Sequence, residues 1–133
     1  MARKLRIDGD GGGKVFHWEA VLTGVVAGYL ASLVCSAALG AIMLKTTIAQ
    51  ETVPSIMSGV GFLSLAIGSG YAALRARSAG WLHGAATGAA YIIVSMVISL
   101  ILFPEPLNTM AVIERTIIGS AVGLVAGTIG VNL

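Results

Sequence analysis

Residues 81–103 read WLHGAATGAAYIIVSMVISLILF, and Pro104-Glu105-Pro106 closes the run. No Lys, Arg, Asp or Glu interrupts it. Its length is close to the ~20 residues with which a helix crosses the hydrocarbon core of a bilayer. In oil every backbone donor and acceptor must pair within its own segment, so such a run becomes a helix. A membrane barrel strand would alternate polar and apolar residues, and this stretch does not. Proline has no N–H to donate and its ring clashes with the preceding turn, so the helix stops before Pro104.

Working outward, three further runs have the same character. The spacing predicts helices over about 19–44, 54–76, 81–103 and 110–133. Lys45, Gln50 and Glu51 break the first gap, and Pro54 stands where an opening helical turn tolerates proline. Arg75, Arg77 and Gly80 mark the second gap. The loops are short, which makes successive helices antiparallel neighbours. The predicted fold is an all-α, polytopic membrane protein, an antiparallel four-transmembrane-helix bundle over residues 17–133. Residues 1–16, rich in glycine and carrying Arg3, Lys4, Arg6 and Lys14, are expected to form a flexible basic cytoplasmic tail.

Composition gives the same answer. The 133 residues are 56% hydrophobic and 11% charged, against roughly a quarter charged in soluble domains. A small soluble fold leaves too much surface exposed to hide that much apolar area. The first run exceeds the apolar core of a cleavable signal, and three spans follow it, so it is expected to be retained. The one cysteine, Cys35, falls inside that run and reads as a buried thiol. Nucleic acid is not an expected partner, because the basic tail lacks interleaved aromatics.

Lys and Arg counts set the orientation. Four lie in the tail and two at Arg75 and Arg77, against Lys45 and Arg115 on the other side. The excess is expected on the cytoplasmic face, which places both termini in the cytoplasm. Trp18 and Trp81, with His17 and His83 beside them, read as interfacial anchors at the same face. Two histidines with no Cys or Asp cluster are too few ligands for a metal site. No metal and no cofactor is expected.

Small residues recur at spacing four, a glycine-zipper pattern. The first helix has Gly24, Gly28, Ser32, Ser36 and Gly40; the second has Ser64, Gly68, Ala72 and Ala76. The third opens with Gly80, Gly84 and Gly88, and the fourth carries Gly119, Gly123 and Gly127. Residues four apart share a helix face, and small ones let two backbones approach. Each step of four also rotates a stripe by about 40°, so Gly24 to Gly40 sweep about 160°. The first helix is therefore expected to be central in the bundle, or to lie in a homo-oligomer interface. A shift that aligns Trp18 with Trp81, Ser32 with Ser95 and Ser36 with Ser99 suggests two related hairpins.

Charged residues near membrane depth are the remaining candidates. Glu114 and Arg115 stand one turn into the fourth helix, as an interfacial pair or as a gate. Glu19 opens the first helix, where a carboxylate suits the dipole, and Arg75 or Arg77 is a possible ion partner. No serine, histidine and acid set can be assembled, so no enzymatic activity is expected.

The stretch Ala79-Gly80-Trp81-Leu82-His83-Gly84, with Thr87, Gly88 and Tyr91 after it and Arg75 and Arg77 before it, resembles the YrzE-like family of small four-helix membrane proteins from spore-forming and related Gram-positive bacteria. The resemblance in layout covers residues 17–133. It implies a four-helix, multi-pass fold in a bacterial plasma membrane and no established activity. The expected function is a structural or accessory membrane role exercised through helix packing, on a partner membrane protein or a second copy. The alternative is an oligomeric small transporter or channel that uses Glu114 and Arg115.

Overall fold

The computed structural model describes residues 16–47, 49–104, 106 and 108–133. The expected tail lies outside the described residues but for Phe16. Four long helices account for most of the chain: α1 (Trp18–Met43), α2 (Val53–Ala76), α3 (Gly80–Leu102) and α4 (Thr109–Asn132). A single 3₁₀ turn, Gln50–Thr52, leads into α2. All four helices are long and apolar enough to cross a membrane. This is a multi-pass integral membrane protein with an all-α, four-helix fold.

Local chemistry fixes the helix ends. Pro54 sits in the first turn of α2, where its missing N–H would have no intrahelical partner anyway. Asn108 caps α4, its side-chain oxygen accepting from the Met110 N–H at 3.1 Å. The α2–α3 connection is the tightest in the molecule's described part. Arg77 (φ 52°) and Ala79 (φ 43°) are both left-handed, with Ser78 between them. Two non-glycine residues in that region reverse the chain within three positions, at a conformational cost that neighbouring contacts must offset.

The helices run up, down, up and down. The α1–α2 and α3–α4 hairpins have the largest interfaces, and α2 also packs broadly on α4. Both α2 and α3 touch all three other helices, whereas α1 and α4 do not meet. The expectation of a central α1 is therefore corrected. Its small-residue stripe is engaged only at one end: Gly24 and Gly28 are buried, Ser32 and Ser36 are half-buried, and Gly40 is exposed. A methyl group added at Gly40 would meet nothing within 4 Å.

Burial is confined to one half of the bundle. Buried residues run from Ala20 to Gly28 in α1, Ser64 to Ala76 in α2, Gly80 to Tyr91 in α3 and Gly119 to Gly130 in α4. These segments are the halves nearest the described termini and the 77–79 turn. In the other halves no described residue is buried. Leu33, Val34, Val97, Ile101, Phe103, Met110 and Ile117 point outward there, as apolar side chains do when the solvent is lipid.

Candidate functional site

The packed half is held by backbone-to-backbone approach. A methyl built on Gly24 would fall 2.6 Å from the Ala72 Cβ and 2.7 Å from the Gly68 carbonyl oxygen. On Gly68 it would meet the Gly24 carbonyl oxygen at 2.5 Å. The α3–α4 seam is tighter and longer. Gly84 faces the Gly123 carbonyl and the Gly127 Cα, Gly88 faces the Gly119 carbonyl, and Gly80 lies against Gly127 and Val131. A third crossing joins α2 to α4, where a methyl on Gly130 would lie 2.5 Å from the Gly70 carbonyl oxygen. Between lipid-bathed helices, van der Waals contact of this kind is the main source of association.

His83 sits at the top of that seam and departs from its expected place. Trp18 and Trp81 are exposed, at 61% and 53%, but His83 is 0% exposed. Its Nε2 accepts the His17 backbone N–H at 2.8 Å. That bond requires a bare Nε2, so Nδ1 carries the proton and donates to the Ala79 carbonyl oxygen at 3.1 Å. The rings of Phe16 and His17 stack on the imidazole, with centroids 5.3 and 5.9 Å away. One turn on, the Thr87 hydroxyl donates to the His83 carbonyl at 2.7 Å. The histidine is a structural clasp between the start of α3 and the chain entering α1.

A second polar cluster lies deeper. Tyr29 on α1 stacks on Tyr91 of α3 with centroids 4.6 Å apart. Its hydroxyl is 2.7 Å from the Ser95 Oγ, which itself donates to the Tyr91 carbonyl at 2.8 Å. The Tyr29 hydroxyl also reaches the Tyr91 carbonyl oxygen, at 3.2 Å. Below this point the helices part. A groove of about 330 Å³ opens between α2, α3 and α4, lined in part by Ser58, Phe62, Ser95 and Arg115. A smaller pocket of about 260 Å³, bordered by Ser99, Asn108 and again Arg115, adjoins the 103–108 connection.

The other charged candidates are at the surface. Glu19 occupies the first turn of α1 and Arg75 the last turn of α2, each where the helix dipole favours its sign. Arg77, Glu114 and Arg115 are exposed. Among the described residues, no group of three or more His, Cys, Asp or Glu side chains is placed to hold a metal ion.

Residues 17–130 match the family described as a protein of unknown function, DUF3792. The chain belongs to the DUF3792 family. No curated protein and no solved structure matches it. The match begins at His17 and ends at Gly130, so it takes in the His83 clasp and every glycine crossing of the DUF3792 fold described above.

Three features of this DUF3792 chain escape a reading by spacing. Gly70 and Gly130 each have a single small residue at spacing four, Ala66 and Ala126, too short a run to mark a stripe, yet they make the α2–α4 crossing. Tyr29, Tyr91 and Ser95 join α1 to α3 through groups that are scattered in sequence. Ser69 is fully buried with its Oγ unpartnered, and nothing in its neighbours would have marked it.

Proposed function

We propose that this protein is a structural or accessory membrane protein, without catalytic activity, that acts through small-residue helix packing. The observation that carries the reading is the division of the bundle. One half is closed by glycine crossings at which an added methyl would collide with the opposing helix. The other half presents unburied apolar faces on all four helices, which suits a partner membrane helix or a second copy. Both termini and the 77–79 turn are proposed to lie in the cytoplasm of a bacterium, on the excess of Lys and Arg at that end. The YrzE-like character of the Gly80–Gly84 segment that opens α3 belongs to the same proposal.

The second reading, an oligomeric transporter or channel, is favoured by one observation: Arg115 borders both pockets of the open half. Labelling with a membrane-impermeant thiol reagent separates the two. In a Cys35→Ser background, single cysteines placed along α4 at lipid depth should stay unlabelled. A periodic stripe of labelled positions through α4 would instead establish an aqueous path. Native mass measurement in mild detergent then gives the copy number.

A further inference from the structure

The open half contains a feature that packing does not explain. Ser58 of α2, Ser95 of α3 and Arg115 of α4 come from three separate helices and line one groove. At about 1.5 Å per residue, they lie at similar depths, roughly 8–11 Å in from the helix ends at the 44–52 and 103–108 connections. Helices of 23–26 residues exceed the ~30 Å hydrocarbon core only slightly. The three polar groups therefore sit a few ångströms inside the lipid acyl region, where an arginine is costly unless it meets an anion or reaches the interface.

We propose that this groove binds a phospholipid, with its phosphate held by Arg115 and one acyl chain lying on the apolar floor formed by Phe62, Leu65 and Ile92. Ser58 gives its proton to the Pro54 carbonyl at 2.9 Å, and Ser95 gives its own to the Tyr91 carbonyl. The serine oxygens are thus acceptors, and Arg115 is the donor that an incoming anion meets. Arginine suits that task, because its planar fork bonds two phosphate oxygens at once. Its long stem also lets the guanidinium rise toward the interface while the groove below stays occupied. Arg115 borders the pocket beside Asn108 at the 103–108 connection as well, so it stands where a headgroup at the membrane surface passes into the groove.

The occupant is a lipid, not a soluble anion, because of what surrounds the site. Its floor is apolar, and the flanking side chains of Leu63, Ile93, Val94 and Ile118 are exposed apolar groups that lie in acyl chains. A free phosphate ion would have to leave water to reach it, whereas a lipid already has its chains there. At about 330 Å³ the groove is at the small end of the roughly 300–1,000 Å³ range of ligand sites, which suits a headgroup and the upper part of one chain.

Retention of phosphatidylglycerol, followed by native mass spectrometry of the full chain released from mixed phosphatidylglycerol–phosphatidylcholine nanodiscs, tests the assignment. The wild-type protein should keep a bound phosphatidylglycerol that the Arg115→Gln protein loses about tenfold, while Arg115→Lys loses less. Gly61→Leu supplies an independent arm. Gly61 lines the groove, and a methyl there meets nothing within 4 Å, so a leucine starts in open space and should also expel the lipid. Lys45→Gln, at the same end of the bundle, should retain it. Equal retention by Arg115→Gln and Gly61→Leu would overturn the proposal. So would equal loss by Lys45→Gln, which would mean attraction to general surface charge, or displacement by millimolar inorganic phosphate, which would mean a free-anion site.

Discussion

Ala79 carries a left-handed backbone (φ 43°) although it has a side chain, and its carbonyl receives three bonds, from the N–H groups of Leu82 and His83 and from His83 Nδ1. Those bonds hold a conformation that costs an L-residue about 1–2 kcal/mol. Glycine removes the strain, and the greater conformational entropy it gives the unfolded chain opposes this by about 0.4–1 kcal/mol. Ala79→Gly should therefore stabilise the protein by roughly 0.5–1 kcal/mol, read as a raised midpoint of thermal unfolding in detergent. The same turn explains why His83 was misplaced by the sequence. A histidine next to a tryptophan at a helix start reads as an anchor, but residues 81 and 83 are about 200° apart around a helix. If one ring faces lipid, the other must face the bundle. The small-residue positions were far easier to read, because spacing four is itself a geometric statement about one face. Gly70 and Gly130 have one alanine each at that spacing, Ala66 and Ala126, too short a repeat to announce them.

At the scale of the helices, length and hydropathy were enough to place every element, because hydrocarbon leaves the backbone no alternative to helix. Each helix begins one residue before its expected start, at Trp18, Val53, Gly80 and Thr109. Which helix is central was not legible. The long stripe of α1 suggested it, yet a stripe records only where a close approach is permitted. Beyond Gly28 the partners of α1 diverge, and contact passes to a side chain. The Tyr29 hydroxyl then ties α1 to Ser95 of α3. Interhelical hydrogen bonds in membrane proteins average about 0.6 kcal/mol, with a maximum near 1.7. Tyr29→Phe keeps the ring stacked on Tyr91 and removes the hydroxyl's bonds to Ser95 and to the Tyr91 carbonyl. It should lower stability by about 0.5–1 kcal/mol in a reversible denaturation assay, and a double change with Ser95→Ala should cost less than the sum of the two single changes.

For the molecule as a whole, the central claim is an asymmetry: one half is locked by glycine and the other is open. It follows from where the buried residues fall along each helix. Arg75, Arg77, Trp18 and Trp81 all belong to the locked end, while Arg115 and its groove belong to the open one. The most direct measurement compares unfolding in lipid of single glycine-to-alanine proteins from the two halves. Gly84→Ala and Gly123→Ala push a methyl into an opposing backbone that cannot withdraw, and overpacking of this kind costs about 1–3 kcal/mol. Gly40→Ala, Gly59→Ala and Gly61→Ala add the same methyl to open space. The account predicts a loss of about 2 kcal/mol or more for each of the first two proteins and no loss for the other three. Equal effects in both halves, or tolerance of alanine at Gly84 and Gly123, would contradict it.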